Sequence, residues 1–212
     1  MTDSKPIYTV LSLAMLLMVI AGCSTNVVVK GDFPAPLAHP LPLNADLVLT
    51  DEFRTYTFTD EKTKGKKLSF TIGEAQAMLF QEITDALFAS VTERRALEGN
   101  ATGELVLVPR VEEIQVARPF ETQLKVFEVW IKYNLSVYDE HGQPIADWIM
   151  SSYGKTPTRF LTSDEEALNQ AAIVALRDAG ARLIVEFRRV PEIQAWLRSR
   201  APATAGEEKQ PT

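Results

Sequence analysis

The clearest pattern in the chain runs from Phe127 to Tyr138, where apolar positions recur at every second residue. Phe127, Val129, Ile131, Tyr133, Leu135 and Val137 hold one parity; Glu128, Trp130, Lys132, Asn134, Ser136 and Tyr138 hold the other. Successive side chains of a strand point to opposite faces, so this alternation predicts a long strand with one buried face. Asp139-Glu140-His141-Gly142-Gln143-Pro144 supplies turn residues, and Ile145–Tyr153 returns as the antiparallel partner. Leu105–Val116 is a third strand, apolar and β-branched, with Pro109 marking a bulge or an edge position. Upstream, Leu47-Val48-Leu49 begins a strand and Phe53–Phe58 reads as β-rich. Beyond the charged loop 60–67, Leu68–Ile72 completes a hairpin.

Two stretches carry the helical period instead. Ala75, Leu79, Ile83, Ala86, Leu87 and Val91 fall on one face of a helix from Gly73 to Val91. Leu168, Ala171, Ala172, Ala175, Leu176, Ala179 and Leu183 form the stripe of a second, whose alanines imply close approach to the sheet. Ser163 with Glu166 matches a capping box at its start, and Gly180 marks a place to bend. Pro191 opens a short terminal helix carrying Ile193, Trp196 and Leu197. The order β-β-α-β-β-β-α predicts an α+β domain: an antiparallel meander with two main helices packed on it, plus the short C-terminal helix.

The amino terminus follows a different logic. Ile7–Ala21 is fifteen uncharged residues, short of the ~20 that a helix needs to cross the hydrocarbon core but the length of a signal-peptide apolar region. Ile20-Ala21-Gly22-Cys23 follows it and resembles a bacterial lipobox. That resemblance implies cleavage between Gly22 and Cys23 and acylation, palmitate included, of Cys23. Ser24, where an Asp signals inner-membrane retention, resembles the outer-membrane pattern. The alternative is a free cysteine beyond an ordinary cleaved signal or an uncleaved anchor.

The expected organisation is a signal peptide over 1–22, a lipidated, proline-rich segment over 23–43, one domain over 44–200 and a disordered tail over 201–212. Prolines at 34, 36, 40 and 42 favour an extended tether that reaches up to ~60 Å. The competing reading, kept open by Val27-Val28-Val29 and Leu37, is an arm packed along the domain.

Composition narrows the chemistry. The 212 residues include 22 basic and 28 acidic side chains, a net charge of −6, which disfavours nucleic acid as a partner. One cysteine excludes an internal disulfide, and two histidines, His39 and His141, leave little for a metal centre. Gly154-Lys155-Thr156 imitates the end of a phosphate loop, but position 149 is Ile rather than Gly and Pro157 follows. Asp139-Glu140-His141 reads as a solvated turn, and the neighbours Glu112 and Glu113 point to opposite strand faces. No nucleophile elbow or zinc-protease motif occurs, so no catalytic residue, cofactor or metal is assigned. Trp130 and Tyr138 on the polar face of the long strand, with Trp148 from its partner, form a candidate partner surface. The alternative is a second small core beneath a covering segment. Lys62, Lys64, Lys66 and Lys67 make a basic loop, suited to anionic lipid or a carboxylate-rich partner, or simply a solvated hairpin tip.

Together with the lipobox, the domain resembles the small α+β lipoproteins of the Gram-negative envelope, of YajG type or the transport-auxiliary kind. The likeness rests on the helix with Leu79, Ile83 and Leu87, then Leu105-Val106-Leu107 and the long strand. It continues through Gly142, Ser152-Tyr153-Gly154 and the helix with Asn169, Ala172 and Leu176. It implies an outer-membrane-anchored periplasmic lipoprotein acting, without catalysis, on an envelope protein partner in assembly or transport. A carrier of lipid or small ligand, and an envelope hydrolase, are the alternatives.

Overall fold

The computed structural model describes residues 25–60, 67–157 and 163–200. Gly22, Cys23, Lys62, Lys64, Lys66 and the tail 201–212 lie outside the described residues. In chain order the elements are β1 (Thr25–Val28), β2 (Leu41–Val48), α1 (Asp51–Arg54), β3 (Thr57–Asp60), β4 (Leu68–Thr71), α2 (Gly73–Leu87) and β5 (Phe88–Arg94). They continue with β6 (Leu105–Ala117), β7 (Val126–Asp139), β8 (Pro144–Pro157), α3 (Asp164–Phe187) and α4 (Pro191–Arg200). The fold is α+β, with a five-stranded sheet ordered β5-β2-β6-β7-β8 and a three-stranded sheet ordered β1-β4-β3.

The antiparallel meander holds for β6, β7 and β8, but the sheet as a whole is mixed. Strand β2 lies between β5 and β6 and runs parallel to both. Parallel neighbours need a long crossover, and the chain between β2 and β5 provides it through α1, β3, β4 and α2. Ala45–Leu49 is buried at every position, so this strand shows no alternation by which its neighbours are read from sequence.

Three other expectations change. The segment from Phe53 to Phe58 is not one strand: Asp51–Arg54 forms a helical turn, capped by the Thr50 hydroxyl accepting from the Phe53 N–H at 3.2 Å. The helix expected to reach Val91 stops at Leu87, where Phe88 adopts extended backbone and begins β5. The proline-rich segment is docked rather than free. Thr25–Val28 pairs with β4, Val27, Val29 and Phe33 are buried, and Leu41 already belongs to β2. Between them the arm follows α3: the Lys30 N–H donates to Asn169 Oδ1 at 2.9 Å, and Arg188 donates to the His39 carbonyl. Leu37 points to solvent.

The main core lies between one face of the large sheet and helices α2 and α3. The six odd positions of β7 are all buried there, as the alternation predicts. Strand β6 keeps its apolar residues on that face through a bulge between Val111 and Glu113, so Leu105 and Leu107 before it and Ile114 after it face the same way. Pro109 lies two residues short of the bulge, beyond Leu107 where pairing with β2 ends.

Buried polar groups are tied in. The Tyr133 hydroxyl donates to Gln76 Oε1 at 3.1 Å, and Gln76 Nε2 donates to the Phe53 carbonyl at 2.7 Å, linking β7, α2 and α1. On the other face Asp46 is fully buried. It accepts from the Thr102 N–H at 2.9 Å, the Thr102 hydroxyl at 2.5 Å, the Gly103 N–H at 2.9 Å and Arg94 Nη1 at 3.1 Å. Burial raises its carboxyl pKa, yet the donors of Thr102, Arg94 and Gly103 outweigh burial and hold it below the ordinary value.

Helix α3 comes close enough to β8 that a Cβ added at Gly154 would stand 2.1 Å from the Ala171 carbonyl oxygen and 2.3 Å from the Ala175 nitrogen. Gly180, on the same continuous helix, admits Leu79 and Ile83 of α2 rather than bending the axis. Overpacking against backbone has no cheap relief, so Gly154→Ala should destabilise the fold by about 3 kcal/mol. A denaturant midpoint shifted strongly down is the expected outcome; an unchanged midpoint contradicts the packing.

Candidate functional site

With helices on one face of the large sheet, the other face divides into two regions. Near β2, Val48, Val106 and Val108 are buried beneath Leu97, Ala101 and Tyr138. The loop that covers them is the one gripped by Asp46 through Thr102 and Gly103. Toward the far ends of β6, β7 and β8, the same face presents polar and aromatic side chains to solvent.

Register decides which residues meet there. Trp130 stands between Gln115 on β6 and Tyr153 on β8. The Trp130 and Tyr153 rings are 5.1 Å apart and inclined at 37°, and Trp130 is 37 % exposed. Tyr153 donates its hydroxyl proton to Glu128 Oε1 at 2.7 Å. Burial and then the hydrogen bond and charge of Glu128 push the Tyr153 pKa up to about 12. Beside them Lys132 Nζ meets Glu113 Oε2 at 2.8 Å, and Gln115 Nε2 donates to Glu113 Oε1 at 2.5 Å. The hydrogen bond to Glu113 and its charge raise the Lys132 pKa, so the ammonium is retained. Farther along, Asn134 Nδ2 donates to Asp147 Oδ1 at 2.8 Å and the Ser136 hydroxyl to Asp147 Oδ2 at 2.7 Å. Arg110 Nη1 reaches the Ser136 oxygen at 3.2 Å, and Ile149, 49 % exposed, lies across from Asn134.

The three aromatics named from sequence are therefore not one patch. Trp130 belongs to the open face. Tyr138 is half-buried over the small valine cluster and lines a hollow of about 420 Å³ with Arg94, Leu97, Asn100 and His141. Trp148 pairs with Leu135 and so shares the helix-covered face, where its ring meets Phe187 edge-on at 6.3 Å. Its buried indole N–H has no acceptor among the described residues. Sequence reading missed Tyr153, Ile149 and the Glu113–Lys132 pair, because only the hairpin register sets them beside Trp130.

Chemically, this face offers aromatic surface, a charged pair and fixed amide and carboxylate groups. Ser136 donates to a carboxylate, and neither histidine stands beside it: His141 is in the β7–β8 turn and His39 in the docked arm. The hollow beside Trp130, lined by Glu113, Gln115, Lys132 and Ser151, measures about 140 Å³, well below the ~300 Å³ of the smallest ordinary ligand pockets. Among the described residues no group of three His, Cys, Asp or Glu side chains is placed to hold a metal ion.

No family model matches the chain. No curated protein sequence matches it either. Solved structures do resemble it in shape. Protein XCC0632 from Xanthomonas campestris, of the DUF330 family, superposes with a TM-score of 0.55 at 11% identity, over 82% of this chain and 98% of that one. At that identity the likeness shows the fold alone. A minor lipoprotein from Acinetobacter baumannii aligns with a TM-score of 0.41 at 12% identity, over 70% of this chain and 92% of its own.

Because the Tyr153 pKa is raised in the folded state, the stability it contributes is full below pH ~10 and is lost as pH rises through about 12. A spectrophotometric titration should therefore show one tyrosine near pH 12 that is missing in Tyr153→Phe. A tyrosine lost from the ordinary range near pH ~10 instead would contradict the Tyr153–Glu128 bond.

Proposed function

We propose that this chain is a lipoprotein of the bacterial cell envelope, held on the periplasmic face of the outer membrane through lipidated Cys23. In this reading it serves envelope assembly or transport without catalysis, docking a protein partner on the open face around Trp130, Tyr153 and Ile149. The observation that carries it is the junction Ile20-Ala21-Gly22-Cys23 directly after fifteen uncharged residues. An apolar stretch of that length exports a chain but does not span a bilayer, and the cysteine stands where acylation follows cleavage. Among the described residues no helix is long and apolar enough to cross a membrane. Each buried methylene contributes ~0.8 kcal/mol, so two or more acyl chains hold the protein firmly where one does not.

The open face supports a protein partner over a small ligand. Its hollow is small, whereas its aromatic and arginine side chains, ringed by satisfied polar groups, are the kind that concentrate binding energy between proteins.

Cys23→Ser tests the anchor. The wild-type chain should sediment with outer membranes and carry acyl mass on its first tryptic peptide. The variant should be found uncleaved or in the soluble fraction. A wild-type chain with no acyl mass, or a variant that fractionates unchanged, would sink the proposal.

A further inference from the structure

The docked arm changes how the anchor constrains the fold. Thr25, two residues beyond Cys23, already stands in β1, opposite Leu68 of β4, and its N–H donates to the Lys67 carbonyl at 2.9 Å. Leu68 in turn faces Asp60 of β3. Adjacent strands lie ~4.8 Å apart, so the backbones of Thr25 and Asp60 are about 10 Å from each other. Asp60 Oδ2 then meets Arg118 Nη2 at 3.0 Å, and Arg118 is buried. That ion pair brings the 118–125 connection between β6 and β7 to the corner where the chain arrives from its anchor.

This connection is a built turn. The Arg118 N–H donates to Glu121 Oε2 at 2.8 Å and the Glu121 N–H to the Arg118 carbonyl at 2.8 Å. The Val126 N–H donates to the Thr122 hydroxyl at 3.0 Å, and Lys125 turns the backbone at φ 52°. So held, it exposes two large apolar side chains: Phe120 at 68 % and Leu124 at 71 %. The Arg118 guanidinium lies 5.8 Å from the Phe120 ring.

We infer that the 118–125 turn is a membrane-contact element whose Phe120 and Leu124 enter the lipid surface that holds Cys23. The inference rests on the lipid-anchor reading and adds an orientation to it. Two residues reach at most ~7 Å, so the corner at Thr25 stays within that distance of the acylated cysteine, not at the end of a ~60 Å tether. Apolar side chains exposed there meet headgroups and acyl chains before they meet another protein. Arg118, Lys125 and Lys67 against Asp60 and Glu121 give the described corner one net positive charge, so attraction to anionic headgroups adds to the apolar contact that drives the insertion. The β7–β8 turn at the opposite end of β7 faces away from the membrane, and the open sheet face stands between the two ends.

The test uses the full, lipidated chain in vesicles of phosphatidylethanolamine and phosphatidylglycerol. Acylation consumes the thiol of the one native cysteine, so Phe120→Cys, Leu124→Cys and the control His141→Cys each offer a single site for a polarity-sensitive fluorophore. At 120 and 124 the dye should shift to shorter wavelength on reconstitution and be quenched by brominated acyl chains; at 141 it should do neither. Flotation of the unlabelled protein and its Cys23→Ser variant is measured alongside. A protein that floats with dyes at 120 and 124 open to aqueous iodide overturns the turn's role alone. Wild type that fails to float overturns the anchor, and this inference with it. A wavelength shift without quenching by brominated lipid means that protein covers the turn, and likewise overturns the inference.

Discussion

Helix α3 lies against β8 at a distance that only a glycine permits, and the rest of the architecture follows from that approach. A Cβ at 154 would stand 2.1 Å from the helix backbone, and Ala167, Ala171, Ala172, Ala175 and Ala179 present no bulk to keep the layers apart. Long side chains from the sheet, α1 and α2 join Leu168, Leu176, Leu183 and Phe187 of α3 in the core, and Phe80 meets both Phe53 and Tyr133 edge to face beside Gln76. One face of the large sheet is thereby closed. Its other face is closed only near β2, where the Asp46 carboxylate gathers Thr102, Gly103 and Arg94 and draws a loop over the valines.

What stays uncovered is therefore defined by packing. The far ends of β6, β7 and β8 keep Trp130, Tyr153 and Ile149 among paired charges, without a cavity of ligand size beside them. The ends of the same strands differ in kind. The β6–β7 turn carries Phe120 and Leu124 beside the start of β1, whereas the β7–β8 turn carries Asp139, Glu140, His141 and Gly142. A chain tied at Cys23 has, on the proposed reading, a membrane end, a solvent end and an open face between them.

Much of this was legible in the sequence. The alternation in β7 and the alanine stripe of α3 each follow one period over ten or more residues and form as read, and the returning strand read over Ile145–Tyr153 forms as the longer Pro144–Pro157. The failures have specific causes. The Ala45–Val48 half of strand β2 is buried on both faces, so no alternation there announced its parallel neighbours. Val91 continues the helical spacing of Leu79, Ile83 and Leu87, yet Phe88 pairs with Leu41 and the chain leaves the helix there. Prolines at 34, 36, 40 and 42 suggested a free tether, but Val27, Val29 and Phe33 find apolar partners in the core. For the candidate site, Trp130 was legible as a polar-face aromatic. Trp148 was misplaced because the connection length decides whether even positions on β8 face even or odd positions on β7, and the pairing sets Trp148 opposite Leu135.

The open face is where the functional reading meets its hardest trial. The most direct measurement places a photocrosslinking residue in living cells at Trp130 or Ile149 on that face, and at Val174 or Val185 on the exposed side of α3. The same envelope protein should be captured from Trp130 and Ile149 and from neither helix position. Equal capture from both sides, or capture only from the helix, would contradict a partner-docking role for the sheet.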